Sequence, residues 1–241
     1  MGVVSIKNER FFKYLRYKLN KDKIEVDDLY TITEITLNKN DFKNEITDFE
    51  IDGIKYFKNL NKLYIKNFKI TNKIIKEILK LKKLEKLVFF SCDFDKNIKI
   101  GNKLENLEIL KCSNVVNIKS INANNVKISN IDIDFKFSKI LYNCTNIILL
   151  NTFIGFDIGN NYNKKIVINF KRCKNIKIIN SRIEDKLLFK FKYLENINCI
   201  NTILNKDLKA YMEKNDKKKK IGYIFEDEYI EFTKEKGDAN V

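Results

Sequence analysis

Apolar residues recur along this chain in a pattern that fits neither a lone helix nor a simple strand. In the segment "LEKLVFFSCDF", residues 84–94, the residues Leu84, Leu87, Phe89, Cys92 and Phe94 occupy positions 1, 4, 6, 9 and 11. The central pair has the two-residue period of a strand, whereas the wider offsets on both sides indicate turns. The pattern therefore predicts a short strand flanked by bends, with its apolar side chains directed inward.

The same pattern recurs eight times between residues 32 and 204. The fourth position of each copy serves as its marker, and the markers are Ile35, Leu63, Leu87, Leu107, Val126, Ile147, Ile176 and Ile197. Successive markers lie 28, 24, 20, 19, 21, 29 and 21 residues apart. Recurrence at this spacing is typical of proteins in which stacked units cover one another's core.

The fifth copy allows a second alignment, because "IKSINANNVKI" around Ile121 fits the apolar pattern equally well. A marker at Ile121 would leave steps of 14 and 26 residues, whereas Val126 leaves 19 and 21. With Val126, asparagine occupies the third position of copies four to eight and the eighth position of copies five to eight. These residues are Asn106, Asn125, Asn146, Asn175 and Asn196, and Asn130, Asn151, Asn180 and Asn201. The two asparagine columns favour Val126.

The pattern resembles the leucine-rich-repeat template L-x-x-L-x-L-x-x-N/C-x-L. The stretch "VDDLYTITEITLNKNDF" and the following "IDGIKYFKNLNKLYIKNFKI" resemble the start of bacterial internalin-like repeats, where a short "DL" helix precedes the first strand. Internalins are exported and more regular, and the drifting spacing and Asn/Lys/Ile bias also resemble intracellular leucine-rich-repeat families of AT-rich parasites and large insect DNA viruses. The resemblance implies a protein-binding module.

The spacing and the resemblance together predict an α/β fold, a leucine-rich-repeat solenoid. Positions three to eight should form a curved parallel β-sheet on the concave side, with irregular, 3₁₀ or helical returns on the convex side. The segment "NKIIKEILKLKK", residues 72–83, has apolar residues at helical period and predicts a helix after the second copy. A helix is also expected after the third copy, and later returns are expected to be 3₁₀ or irregular.

Three parts are predicted along the chain, because the end units of a repeat array need covers. Residues 1–31 form an N-terminal helical cap, with Phe11, Phe12, Leu15 and Leu19 at helical spacing. Residues 32–204 hold the repeats, and residues 205–241 form the C-terminal cap and tail. In that last part "KDLKAYMEK" predicts a helix and "IGYIFEDEYIEFT" a closing hairpin.

The five cysteines all fall at inward positions of the pattern. Cys92 and Cys112 occupy position nine, Cys144 and Cys173 position one, and Cys199 position six. We therefore expect buried, reduced thiols that behave as small apolar residues, and a reducing compartment. The N-terminus has no apolar core of the length that a secretory signal needs, and no apolar run approaches a membrane span. Sequence reasoning thus predicts a cytoplasmic protein.

Catalytic motifs are absent from the sequence. Without histidine, Ser-His-Asp triads, Cys-His dyads and H-E-x-x-H zinc sites cannot form, and no phosphate-binding glycine loop occurs. The paired carboxylates Asp27 with Asp28 and Asp132 with Asp134 are interpreted as turn residues, helix caps or surface charge. We expect no enzymatic activity, no cofactor and no metal.

A net charge of +15 and a pI near 9.4 raise the alternative of a basic nucleic-acid-binding protein that uses scattered lysines. The abundance of Lys, Asn and Ile offers a compositional explanation for the same charge. The outward positions three, five and seven together hold five lysines and two glutamates, which gives a net charge of only +3 (5 minus 2). Nucleic acid is therefore the less favoured partner.

Several outward positions carry large apolar residues, although a solvated sheet face should be polar. Contiguous apolar surface of this kind marks interaction sites, while strand propensity offers a structural explanation for the same residues. The predicted partner-binding residues are Tyr64, Val88, Phe90, Leu110, Ile148, Leu150, Ile179 and Ile200. The favoured function is a non-catalytic scaffold that recognises a partner protein on this face.

Overall fold

A long all-parallel sheet organises the protein. The computed structural model describes residues 9–42, 51–155, 166–215 and 220–222. Nine strands follow one another across the sheet in chain order. They are β1 (Glu34–Asn38), β2 (Lys62–Lys66), β3 (Lys86–Phe90), β4 (Ile98–Leu110), β5 (Ile118–Ser129), β6 (Asn146–Leu150), β7 (Asn175–Ile179), β8 (Asn196–Ile200) and β9 (Lys220–Gly222). This α/β architecture is consistent with a repeat solenoid.

The strands pair in the register that the eight markers predict. Ile35 lies beside Leu63, Leu63 beside Leu87, and the alignment continues without a slip through Ile197 in β8. Val126, not Ile121, is the partner of Leu107, which confirms the choice made for the fifth copy. Ile121 pairs instead with Ile100, in the part of β4 that precedes the fourth copy's own strand segment.

One face of the sheet forms the core. Side chains at positions four and six are buried in all eight copies, and the adjacent odd positions face the other way. Phe89, Ile109 and Ile128 are fully buried and stand in line because their strands are in register. Full burial of such side chains contributes roughly 1.5–3 kcal/mol each. A one-residue slip would exchange this core for the outer face, so the apolar pattern favours a single register.

The returns are more varied than predicted. The expected helix after the second copy is confirmed as α3 (Asn72–Ile78), where the Thr71 hydroxyl accepts a hydrogen bond from the Ile74 amide at 3.4 Å. The prediction of a helix after the third copy is wrong, because the chain there forms strand β4, which begins at Ile98. There Ile98 and Ile100 are buried and Lys99 is exposed, which is the two-residue period of a strand.

Later returns also include regular structure where 3₁₀ or irregular segments were expected. A further helix, α4 (Phe135–Ile140), follows the fifth copy. One 3₁₀ turn, Val115–Asn117, follows the fourth copy, and another, Leu141–Asn143, follows α4. The strands Ile166–Phe170 and Leu187–Phe191 pair in parallel as a separate two-stranded sheet. Their alternating apolar residues are too few for the sequence alone to distinguish a short strand from an irregular segment.

Helices cover both ends of the repeated region. The predicted N-terminal helix is confirmed as α1 (Glu9–Leu19), and a short helix, α2 (Val26–Tyr30), precedes β1. Phe11 and Leu15 of α1 are fully buried, and the Tyr14 hydroxyl donates a 2.8 Å hydrogen bond to the Thr36 carbonyl on the edge strand β1. An edge carbonyl that would otherwise invite another strand is thereby satisfied.

At the other end, the predicted helix is confirmed as α5 (Lys206–Asn215). Leu208 and Met212 bury its inner side, and the Asn205 side chain accepts a 2.9 Å hydrogen bond from the Leu208 amide. Of the predicted hairpin only β9 is described, and it pairs in parallel with β8. The remainder of that hairpin lies outside the described residues.

Position eight is left-handed in seven of the eight copies. From the second copy onward these residues have φ between 44° and 63°, and they are Asn67, Ser91, Lys111, Asn130, Asn151, Asn180 and Asn201. Asparagine tolerates this conformation better than most residues, which explains its column. The backbone amide of Asn151 donates to the Ile179 carbonyl of the next strand at 2.9 Å, and the same bond recurs from copy two to copy seven.

The asparagines at position three form a side-chain ladder. The amide of Asn125 donates to the Asn106 side-chain oxygen at 3.0 Å, Asn146 to Asn125 at 2.5 Å, Asn175 to Asn146 at 2.6 Å and Asn196 to Asn175 at 2.5 Å. Each inner member thus uses both its oxygen and its nitrogen within the column. The ladder stabilises the shared register of β4 through β8.

All five cysteines are free and buried, as predicted. The Cys92 thiol donates to the Ile65 carbonyl at 3.3 Å, and the Cys112 thiol donates to the Leu110 carbonyl at 3.3 Å. Burial raises the pKa of Cys144, Cys173 and Cys199 to about 12. The thiols of these three cysteines therefore remain protonated near neutral pH, and all five cysteines are core residues.

Replacing Asn180 tests the strand-end turn. Alanine at φ 47° should lower the free energy of unfolding by about 1–2 kcal/mol, because alanine lacks the short polar side chain that makes the left-handed region tolerable for asparagine. Asn180→Gly loses the same hydrogen bond from Asn201, which is 3.0 Å long, but keeps an allowed backbone. It should therefore be the less destabilised variant in urea denaturation followed by circular dichroism. Equal losses would show that the side-chain bond, not backbone conformation, selects asparagine.

Thiol labelling tests the cysteine assignment. Iodoacetamide at pH 8 should leave all five cysteines unmodified in the native protein, because they are buried. In denaturant all five should react, and mass spectrometry should count five adducts with or without prior reductant. A native intramolecular disulfide, or a rapidly labelled native thiol, would contradict the assignment.

Candidate binding surface

The outer face of the sheet presents positions three, five and seven of every copy. The register aligns position seven into a column, which we call the outer column. Its members from β2 to β8 are Lys66, Phe90, Leu110, Ser129, Leu150, Ile179 and Ile200. Adjacent members stand about 4.8 Å apart at the backbone. Ser129 therefore divides one apolar pair, Phe90 with Leu110, from three consecutive apolar residues.

The eight predicted binding residues differ in exposure. Ile148 is 37% exposed, and Val88 and Ile200 are buried at 4% and 9%. The other five, which are half-buried, are Tyr64, Phe90, Leu110, Leu150 and Ile179. Val88 lies between Tyr64 and Glu108 at position five of neighbouring strands, so larger neighbours cover its short side chain. Six of the eight residues thus contribute apolar surface, and their role in binding stays a prediction.

Polar groups along position three pair mainly with their own neighbours. Lys62 and Glu34 form an ion pair at 3.1 Å, and Lys86 and Glu108 form one at 2.7 Å. Burial lowers the pKa of Lys86, but the hydrogen bond and charge of Glu108 outweigh it, so the pKa is raised overall. Beyond β3 the asparagine ladder occupies the column. These groups already have partners and give a new ligand little to gain.

Two lysines bracket the ring of Phe90. The Lys66 ammonium lies 5.8 Å from the ring centroid and the Lys111 ammonium 5.6 Å, both within cation–π range. Lys66 belongs to the outer column, whereas Lys111 is the exposed left-handed residue that ends β4. The repeat pattern treats position eight as a turn position, so Lys111 was not among the predicted site residues. In the sequence, the one indication that Lys111 belongs to this surface is that it directly follows Leu110.

A polar groove of about 800 Å³ lies where the first strands begin. Its lining includes position two of the first five copies, which is occupied by Thr33, Asn61, Glu85, Glu105 and Asn124. The Asn124 amide donates to Glu105 at 2.6 Å, so groups within the groove satisfy one another. This arrangement offers no convergent set of donors or acceptors for a small molecule.

Carboxylates considered for catalysis serve as helix caps where the structure gives their contacts. Asp134 accepts a 2.5 Å hydrogen bond from the Phe137 amide at the start of α4, and Asp28 accepts a 2.9 Å bond from the Glu25 amide beside α2. The hydrogen bond from Lys21, followed by that amide bond, lowers the pKa of Asp28. Across the described ranges, no three His, Cys, Asp or Glu side chains cluster as metal ligands would.

Neither the scan against protein-family models nor the search of curated proteins found a match for this chain. Among the helices in the described part of the chain, none combines the length and apolarity needed to cross a membrane.

Adjacent phenylalanines of β3 test the assignment of faces. Phe89→Ala should lower the free energy of unfolding by about 3–5 kcal/mol, because its ring is fully buried. Phe90→Ala should cost less than about 2 kcal/mol, because its half-buried ring leaves no closed cavity. Urea denaturation of both variants measures the difference. Equal costs would place Phe90 in the core and invalidate the outer column.

Proposed function

We propose that this chain is a leucine-rich-repeat solenoid protein that binds a partner protein and performs no catalysis. The support for the repeat architecture is the register, which aligns eight copies despite spacings from 19 to 29 residues. In this proposal the outer face of the long sheet is the concave face of the solenoid. The five free, buried cysteines support a reducing, intracellular location.

The outer column carries the proposal. Phe90 with Leu110, and Leu150 with Ile179, occupy adjacent strands on the side of the sheet opposite the core. Their side chains are half-buried, so part of each remains available to a partner. Aromatic and aliphatic anchors of this kind dominate the free energy of binding at protein interfaces. A solvated sheet face would carry polar residues at these positions.

The outer face is less suited to nucleic acid. Ion pairs with Glu34 and Glu108 engage two of its five lysines. Bases of a single strand stack on exposed aromatic rings, and the aromatic residues predicted on this face, Tyr64 and Phe90, are both half-buried. A phosphate backbone also has no apolar groups that could pack against the outer column. The net charge of +15 is therefore better explained by composition.

A double variant tests the proposed function. Affinity purification from the native cytoplasm, with RNase treatment, identifies a partner, whose dissociation constant is then measured with purified components. Phe90→Ser with Leu110→Ser should weaken binding by about 2 kcal/mol or more, roughly thirtyfold, because two central anchors are lost. The variant should remain folded by circular dichroism.

The matched control removes an exposed aromatic and an exposed aliphatic residue that belong to none of the eight strand segments. Tyr193→Ser with Ile203→Ser meets this need, since these residues are 52% and 67% exposed. The control should change the dissociation constant by less than threefold, which corresponds to less than about 0.6 kcal/mol. A folded Phe90/Leu110 variant that still binds normally would refute the proposal. Tight binding to unrelated RNA, with a steep salt dependence abolished by changing Lys217–Lys220 to Ser, would favour the alternative.

A further inference from the structure

We propose that the chain's own residues 223–233 occupy the outer column in the free protein and that a partner must displace them. This inference rests on the proposed function, because it adds regulation to the same binding surface. The segment directly follows β9 and lies outside the described residues. Its composition, the place where β9 ends and the half-buried apolar column beside that place support the inference.

Residues 223–233 differ in composition from the rest of the chain. Their sequence, "YIFEDEYIEFT", holds six large apolar or aromatic residues, four acidic residues and no lysine or arginine. All other residues together include 47 basic and 28 acidic ones (32 minus 4), a net charge of +19 (47 minus 28). Opposite charge therefore attracts the segment to the rest of the protein, and its apolar residues favour burial against an apolar surface.

Strand β9 brings the start of the segment to one end of the outer column. Gly222, the last residue of β9, is the register neighbour of Asn198 at position five of β8, and the two strands are parallel. Ile200, the last member of the outer column, lies two residues further along β8. A chain that continues from Gly222 in the direction of β9 therefore passes beside Ile200.

A buried acceptor without a donor lies at the same place. The Asn198 side-chain oxygen is buried and accepts no hydrogen bond in the described part of the chain. Buried acceptors in native proteins nearly always have a donor. Backbone N–H groups that follow Gly222 would supply one, because Gly222 is the register neighbour of Asn198. This observation favours a segment at this end of the outer face and is independent of charge.

The segment is long enough to follow the column as far as Phe90. Six strand spacings separate Gly222 on β9 from Phe90 on β3, which is about 29 Å at about 4.8 Å per spacing. The ten residues that lead from Gly222 to Phe232 (232 minus 222) span up to about 33 Å when extended. In this arrangement the segment crosses the outer face and is not the second strand of a closing hairpin.

Tethering makes even a weak contact effective. A short tether gives an effective concentration of about 1 mM. A segment that binds the outer column with a dissociation constant of about 0.1 mM would then occupy it in about nine molecules of ten. Since only the remaining tenth is open to a partner, the measured affinity for that partner is lowered about tenfold.

A synthetic peptide of residues 223–233 tests the inference on full-length proteins. The release variant carries Phe225→Ser, Ile230→Ser and Phe232→Ser, which leave the net charge unchanged. The peptide is titrated, in about 0.15 M salt, against the unmodified chain, the release variant, and the release variant with Phe90→Ser and Leu110→Ser added. The matched control is a peptide with the same three serines, which keeps all four carboxylates.

The peptide should bind the release variant with a dissociation constant of about 0.1 mM, and the unmodified chain about tenfold more weakly, because the attached segment competes. Binding should be lost when Phe90 and Leu110 are also changed, and the serine peptide should not bind. The inference fails if the peptide does not bind, binds both proteins equally or binds without Phe90 and Leu110. It also fails if the serine peptide binds equally well, since charge alone would then explain the contact.

Carbodiimide coupling locates the segment without a partner. In the unmodified chain it should join acidic residues 226–231 to Lys111, whose ammonium lies 5.6 Å from the Phe90 ring centroid, and the release variant should lose this product. A mixture of isotope-labelled and unlabelled protein should give coupling within single molecules. Coupling between molecules would identify a second copy as the occupant. Coupling confined to Lys220 would favour the closing hairpin, and either result would overturn the inference.

The partner identified by affinity purification separates this inference from the proposed function. A partner that requires Phe90 and Leu110 should bind the release variant about tenfold more tightly than the unmodified chain. Equal affinity for these two proteins would overturn the inference and leave the proposed function standing. A partner that binds the folded Phe90/Leu110 variant normally would refute the proposed function itself.

Discussion

Residue-for-residue pairing of parallel strands is the constraint on which the rest of this protein depends. Because the pairing of positions three to seven does not slip between β1 and β8, each of these positions forms a straight column across the sheet, whether buried or exposed. The returns between strands vary in length and structure, so they cannot set the register themselves. The left-handed residue at position eight ends seven successive strands at the same point and provides that control.

Because the strands stay in register, the core and the outer face tolerate different kinds of residue. Inward positions four and six admit only apolar residues, because each side chain is enclosed by its neighbours in the two adjacent copies. Outward positions carry lysine, glutamate, asparagine, phenylalanine and leucine on the same backbone. The residue at position seven of each copy can therefore change the surface without disturbing the asparagine ladder that stabilises the register. The proposed binding face could thus acquire new specificity at little cost in stability.

Sequence patterns predicted the features that depend on recurrence and missed those that depend on neighbours. The markers, the asparagine columns and helices α1, α3 and α5 follow from spacing that many residues share. The strand that begins at Ile98 was missed, because two alternating apolar residues are too short a signal. Val88 was predicted to contribute surface, but it is buried, because exposure depends on the sizes of the side chains in adjacent copies.

Lysines on the outer face differ in their surroundings. Where a glutamate is available one strand away, as for Lys86 and Glu108, lysine and glutamate neutralise each other and reinforce the register. Where the neighbour is Phe90, the ammonium groups of Lys66 and Lys111 instead lie over an aromatic ring. Charge beside apolar surface discourages association with other apolar surfaces, since the ammonium groups would lose hydration without gaining a partner. Under the proposed function, the outer column can therefore remain partly exposed and still select its partner.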